Sequence, residues 1–591
     1  MKPRTRVAQK WKGIRKTLVR LAIPALFATA SFAAAPSQTR DGDISTTHYT
    51  GRVARDINRR DPNALVNVIV QFKSAPQARH YRKMSARGAV LRTRLNSIRA
   101  AAFRLSVSAI AKLEKDPDVL YVSPDRPVHL NNSYETYEPA VLADVATQQF
   151  GLDGTGIGIA VIDSGIADHA DFRTAGVSRV IHSESFVVGN TSTVDAYGHG
   201  THVAGIAAGN GAASGAGSGY SKQLVGMAPN ANIINLRVLD QNGSGTDSQV
   251  IAAIQRAIQL KDQYNIRVIN LSLGRPVFES YTLDPLCQAV EQAWQAGIVV
   301  VVAAGNNGRD NSQHTHGFAT IGAPGNDPAV ITVGATRTMQ TDSRVDDGIA
   351  SYSSKGPTLI DHIVKPDIVA PGNRTVSLLA KNSTLDVSNP GLEVAPTGIC
   401  SSSCGNKYFR LSGTSMSTPV VSGAVALMLQ NDPTLTPDTV KARLMKTAWK
   451  GFGVYTNSYD VFNNLYNNQY DVFTYGAGYL DIDAALANND VANGVALSPT
   501  ATYNPATRTV TIVNTNSVTW GTSVVWGSSV VWGNSIIWGN SVVDAKSVCW
   551  GNSVVWGNNV DQGFSVVWGN SVVWGTSTAT SAFSDGQDGE N

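Results

Sequence analysis

The chain has 591 residues, 42% of them hydrophobic and only four of them cysteine, so it exceeds one average domain and is no disulfide scaffold. Its net charge of +4 hides unlike parts: residues 1–33 carry eight basic and no acidic side chains, residues 34–130 are +9, and residues 131–591 are −13. A nucleic-acid binder carries its basic patch on the functional domain, so an acidic body argues against that class of partner.

Residues 1–33 read as a secretory signal, basic up to Arg20, apolar over Leu21–Ala28, and closed by the small-x-small step Ser31-Phe32-Ala33. The competing reading is a membrane anchor, which needs ~20 apolar residues, more than this run supplies. No other stretch is apolar enough to span a bilayer, so a secreted protein without a transmembrane anchor is expected, extracellular or periplasmic/cell-surface.

Residues 34–60 are polar and without periodicity, a leader. Val66–Phe72 then reads as a strand, Arg79–Arg99 as a basic helix, Phe103–Val107 as a strand, Ala109–Glu114 as a short helix and Val119–Val122 as a last strand. A small α+β unit is therefore expected within 34–130. From about 150 to 490 apolar runs alternate with helical stretches: Gly156–Ile162, Ile233–Leu236, Val268–Leu271, Ile298–Val302 and Val330–Val333. Near-continuous apolar strands of this kind belong to a parallel sheet covered by helices on both faces, an α/β class. Function in such sheets gathers at the carboxyl ends of the strands. Asp163 stands at the end of the first run, and Asn306 follows the fourth after Ala303-Ala304-Gly305.

The tail from 517 repeats a six-residue unit, Trp-Gly-Asn/Thr/Ser-Ser-Val-Val, which holds eight of the chain's eleven tryptophans. Short apolar pieces split by Gly-Asn suit a β-meander, and the same period suits a β-helix. The tryptophan row suits either a binding surface or the core of a small β-stack; the structural role is the preferred expectation. Cys400 and Cys404 bracket three serines and either close a small loop or stay free thiols, with export favouring the bridge. Cys287 sits in an apolar helical pattern as a core thiol, Cys549 has no evident partner, and the four do not make a zinc site.

Three stretches carry chemistry: Val161-Ile-Asp-Ser-Gly165, Gly198-His-Gly-Thr-His202 and Gly413-Thr-Ser-Met-Ser-Thr-Pro419. They supply an acid, Asp163, a base, His199, and a nucleophile, Ser415. A serine hydroxyl is a weak nucleophile until an imidazole takes its proton, and the imidazole needs a carboxylate to hold its tautomer. Ser415 opens an apolar helical run with Pro419 expected in its first turn, and a helix N-terminus favours developing negative charge. Asn306 supplies a side-chain amide for an oxyanion hole with the Ser415 N–H. His202 and His169 neighbour these motifs without filling the base position and are expected to be structural.

The order Asp, His, Ser, with an Asn between His and Ser, resembles the subtilisin family of serine proteases over roughly 150–490. Val268–Gly274, Ser351–Pro357 and Lys365–Gly372 match further family motifs. The resemblance implies a three-layer fold with a mostly parallel central sheet, preceded by a small α+β propeptide and followed by a repeat-rich β tail. Its parts would be 1–33 signal, 34–130 propeptide, 131–490 catalytic domain and 491–591 extension. It implies a secreted endopeptidase, made as a zymogen and autoprocessed near Leu130, acting on protein or peptide substrates through an acyl-enzyme. Substrate would pair with Ser272, Leu273 and Gly274 on one side and Gly243, Ser244 and Gly245 on the other. Small apolar walls at Ser272–Gly274 and Ala303–Asn306 imply a preference for large apolar side chains. The chemistry requires no cofactor; calcium is common in the family, but no Asp/Asn-rich ligand loop is evident, and the glycine-rich segment 209–220 departs from relatives at that point. The propeptide would act as an intramolecular inhibitor, attracted to the acidic body by its own positive charge, less so in salt. The rival class is a surface adhesion protein with the tail as its working part; a dead scaffold would be expected to lose Asp163, His199 or Ser415, and none is lost.

Overall fold

A computed structural model describes residues 51–54, 57, 64–129 and, with short gaps, 149–537, together with 554–555. The expected signal, most of the leader, the region after Leu130, Cys400, Cys404, Cys549 and most of the tryptophan tail lie outside the described residues.

An eight-stranded sheet forms the centre of the body, ordered Gly348–Ile349, Ile331–Arg337, Val299–Ala303, Ile266–Leu271, Gly158–Asp163, Asn232–Arg237 and Val180–Ser185, with Ile368–Pro371 also paired to Ile331–Arg337. All pairings are parallel except that of the short strand Gly348–Ile349. Gly158–Asp163 and Val299–Ala303 are buried at every position, which requires cover on both faces and explains their unbroken apolar sequences. Helices His199–Ala208 and Thr414–Asn431 pack together and against the sheet, as do Asp247–Tyr264 and Pro285–Gln295. From Gly158–Asp163 the chain passes to the outer strand Val180–Ser185, returns through Asn232–Arg237 and then continues outward on the other side from Ile266–Leu271, so Gly158–Asp163 borders the point where the topology reverses. Asp163 is its last residue.

Residues 65–124 form a separate four-stranded antiparallel sheet, ordered Val90–Leu95, Ala100–Ser106, Leu65–Phe72 and Val119–Pro124. The strands expected at 66–72, 103–107 and 119–122 are present, and the second short helix covers Val107–Ala111. The basic helix expected over Arg79–Arg99 is not. A helix covers Ala78–Ser85, and Val90–Leu95 is a strand. Gly88 sits at φ +79, a conformation that stops a right-handed helix, and the chain then reverses through Asn96–Ile98 with Arg99 left-handed. Basic charges on this helix and just after it are paired within the unit: Lys83, on the helix, reaches Asp116 at 2.6 Å and Asp118 at 2.9 Å, and Arg87, two residues past its end, reaches Asp116 at 2.5 Å.

This unit docks on the helices Asp247–Tyr264 and Pro285–Gln295, and Ile69, Leu95, Ile98, Ala100 and Ala102 join the main apolar core. Polar contacts register the docking. Gln71 Nε2 donates to Leu283 O at 2.8 Å, and the Asp125 carboxylate accepts Ser248 N at 2.8 Å and Ser248 Oγ at 2.6 Å, capping the helix that begins at Asp247 from outside its own segment. Beyond residue 490, Ala492–Asn493, Thr519–Trp520, Val524–Trp526, Val530–Trp532 and Ile536–Ile537 pair antiparallel in succession.

Candidate active site

Asp163 Oδ1 accepts His199 Nδ1–H at 2.8 Å and the Ser164 N–H at 2.7 Å. An ionised carboxylate only accepts, so the imidazole proton lies on Nδ1 and Nε2 is left with its lone pair. Both side chains are almost fully buried, and Nε2 has no hydrogen-bond partner among the described residues. His199 is the first residue of its helix, directly after Gly198. The glycine on its other side has a steric reason: a Cβ on Gly200 would lie 2.3 Å from Gly165 O, so only glycine lets this helix approach the loop that follows Asp163.

Ser415 is the second residue of the helix Thr414–Asn431, where the N–H has no intrahelical acceptor. Its Oγ donates to Ser272 O at 3.1 Å rather than to His199, while Ser272 Oγ donates to Ser415 O at 2.7 Å. Pro419 explains the second bond. It lies beyond the first turn, contrary to the sequence expectation, and its missing N–H leaves the Ser415 carbonyl without the donor four residues on. Ser272 supplies that donor. Asn306 Oδ1 accepts Thr414 N at 2.9 Å and Thr414 Oγ1 at 3.0 Å, which fixes the amide and leaves Nδ2 as its donor end. Thr414 Oγ1 also accepts Gly305 N at 3.1 Å, tying the end of the strand Val299–Ala303 to the start of the Ser415 helix.

Gly243 turns the chain at φ +70 into the short strand Ser244–Thr246. That strand is paired antiparallel with Pro127–His129: Ser244 faces His129, Gly245 faces Val128, and Thr246 faces Pro127. Leu273 and Gly274 continue from Ser272, and Arg275 N donates to Ala323 O at 3.0 Å.

A family model described as "Subtilase family" matches residues 154–478, more than half of the chain. The chain belongs to the subtilase family. It is a serine endopeptidase of that family, similar to the serine protease AprX of Bacillus subtilis, with 38% identity over 60% of this chain and 75% of that protein. Subtilisin E of the same species is 34% identical over 64% of this chain and 84% of its own length. Among solved structures, fervidolysin from Fervidobacterium pennivorans, described as a keratinolytic enzyme related to subtilisin, shares the fold at a TM-score of 0.55 and 23% identity, over 76% of this chain and 64% of that one.

Asp195 carries no motif in the subtilase's sequence, yet it organises the site. Its Oδ1 accepts Ser164 Oγ at 2.8 Å and Gly198 N at 2.7 Å, and its Oδ2 accepts Thr201 N at 2.8 Å and Thr201 Oγ1 at 2.7 Å. One buried carboxylate thus ties the residue after Asp163 to both sides of His199. Burial pushes its pKa up, against these bonds. The only signal for it is local: an Asp three residues before a glycine that opens a helix is a capping spacing. Thr414 gives no such signal, because its role depends on Asn306, far away in the chain.

His202 is fully buried, with Nε2 on the carbonyls of Thr375 at 3.2 Å and Phe409 at 3.0 Å. His169 is likewise buried and shares its ring nitrogens with Lys407 O and Asp171 N. Both are structural, as expected. Burial holds His202 neutral, its pKa lowered to about 3. The unfolded chain therefore takes up a proton there below the usual histidine value of about 6.5, while the folded chain does not. Its stabilising contribution is complete above that pH and is lost as pH falls towards 3. A loss of about 3 kcal/mol by roughly pH 4.5 is expected, seen as a fall in Tm that is shallower in His202→Gln. Equal Tm profiles for the two proteins would remove His202 as the source.

Cys287 is buried, with Sγ against Asn326 Oδ1 at 3.3 Å, matching the core thiol expected. Among the described residues no group of three or more His, Cys, Asp or Glu side chains is placed to hold a metal ion, and no helix is long and apolar enough to cross a membrane.

Proposed function

We propose that the chain is a secreted serine endopeptidase, made as a zymogen, in which Ser415 is the nucleophile, His199 the general base and acid, and Asp163 the carboxylate that orients it. The observation carrying this reading is the 2.8 Å bond from His199 Nδ1 to Asp163, because it leaves Nε2 as the proton acceptor beside the helix that bears Ser415. Rotation of the Ser415 hydroxyl from Ser272 O towards Nε2 starts the reaction. Ser415 Oγ attacks the scissile carbonyl as its proton passes to His199. The oxyanion forms against Asn306 Nδ2 and the Ser415 N–H, and His199 then returns the proton to the leaving amine. Water, deprotonated by His199, attacks the acyl carbonyl, and His199 returns that proton to Ser415 Oγ as the bond from the acyl carbon to Oγ breaks.

Residues 34–130 act in this reading as the propeptide. Their end, Pro127–His129, already lies on Ser244–Thr246 as an added strand, the mode by which a substrate would be held between Gly243–Gly245 and Ser272–Gly274. An arriving substrate needs the same edge, so the docked unit blocks it. Large apolar side chains are the proposed preference next to the scissile bond. The test is casein hydrolysis by the full-length product, with a fluorophosphonate label located by peptide mass mapping. Stoichiometric label on Ser415 with loss of hydrolysis is expected; hydrolysis that persists after complete labelling would overturn the assignment.

A further inference from the structure

Arg126 immediately precedes the strand Pro127–His129, and its backbone continues the register, with its carbonyl accepting Asp247 N at 2.9 Å. Its side chain is sequestered. The guanidinium lays two bonds on one carboxylate, Nη1 to Glu279 Oε1 at 2.5 Å and Nη2 to Glu279 Oε2 at 2.6 Å. It also lies 4.6 Å from the centre of the Phe278 ring. The two charged side chains are only 4% and 5% exposed. A planar, bidentate pair stacked on an aromatic face is a geometry that arginine fits and that lysine meets only in part.

The receiving side belongs to the body and is held independently of Arg126. Glu279 lies in the loop between Arg275 and the helix Pro285–Gln295. Arg275, fully buried, bonds Asp247 at 2.9 Å and Asp284 at 2.8 Å and so fixes the loop at both ends. Asp361 accepts Ser280 Oγ at 2.5 Å and Tyr281 N at 2.9 Å, clamping the residues that follow Glu279. Removal of the segment carrying Arg126 therefore leaves a preformed acidic notch beside an aromatic ring, one residue beyond the strand Ser244–Thr246.

We propose that Glu279 and Phe278 form an extended substrate subsite for a basic side chain, arginine above all, carried by the residue that takes the place of Arg126. The proposal rests on the reading of Ser244–Thr246 as the substrate edge. It makes the propeptide's own Arg126 a copy of the preferred substrate, and it adds a charge requirement far from the small apolar walls next to the scissile bond. An ion pair that only anchors the propeptide is the alternative.

The processed product of the full chain is assayed on casein, in competition with a peptide covering residues 124–133 and with its analogue bearing Gln in place of Arg126. On the wild type the Arg peptide is expected to compete about tenfold more tightly than the Gln peptide. The ratio should fall towards one in Glu279→Gln and drop partly in Phe278→Ala. Equal competition by the two peptides on the wild type overturns the subsite, whether or not the variants fold, and leaves the protease reading intact. Failure of both peptides to compete while casein is cleaved overturns the substrate edge itself, and failure to cleave casein overturns the proposed function.

Discussion

Replacing Ser415 with alanine is expected to abolish casein hydrolysis and self-processing together. The change deletes one oxygen, the atom that would bond to the acyl group. Among the described residues it removes a single side-chain hydrogen bond, to Ser272 O. The reciprocal bond from Ser272 Oγ to the Ser415 carbonyl is untouched, so the helix start keeps its partner. Folding should survive with a Tm within a few degrees of the wild type. The loss in kcat should be roughly ten-thousand-fold or more, the scale that triad deletions reach in subtilisin. The product should also keep the 34–130 segment covalently attached, visible by mass. A Ser415→Ala chain that still appears processed when made in cells lacking other copies of the enzyme would show that processing uses another nucleophile or another protease.

The second large effect is at Asn306. Its amide donor would meet charge that exists only on the oxyanion, so Asn306→Asp should lower kcat by roughly a hundred- to a thousand-fold and leave KM nearly unchanged. That range also comes from subtilisin. Aspartate is the informative replacement because it keeps the acceptor used by Thr414 N and Thr414 Oγ1 while replacing the donor with a second acceptor. Alanine removes both functions, and stranding the buried Thr414 donors should cost about 1–3 kcal/mol in stability. Comparison of the two variants by steady-state kinetics and thermal melting separates the roles. If Asn306→Asp loses stability and keeps kcat, the residue is a strut and no part of the oxyanion hole.

The parallel sheet is legible in the sequence because strands buried on both faces have no polar side to write into it; Val299–Ala303 can be read without any partner in view. The basic helix expected at Arg79–Arg99 shows the opposite case. On a small, half-exposed sheet the pattern Val90-Leu-Arg-Thr-Arg-Leu95 serves an edge strand as well as a helix, and only the backbone at Gly88 separates them. The site follows the same division. Asp163, His199, Ser415 and Asn306 stand out because each reactive side chain lies among glycines that the backbone geometry demands. Asp195 and Thr414 do not, because an Asp or a Thr near a helix start is ordinary until its partners are known.

Sequence alone singled out Asp163, His199, Ser415 and Asn306 as the candidate reactive side chains, marked the central strands as parallel and buried, and placed a basic segment ahead of an acidic body. Only the tertiary structure decided that Ser272 donates to the Ser415 carbonyl left open by Pro419, that one carboxylate at Asp195 braces both sides of His199, and that Arg126 sits on Glu279. The reason is distance along the chain. Periodicity and glycine spacing are local constraints, written within a few residues, whereas a buried hydrogen bond between residues 143 or 153 positions apart leaves no mark on either neighbourhood. It exists because folding removes water from both partners at once, and each must then find the other.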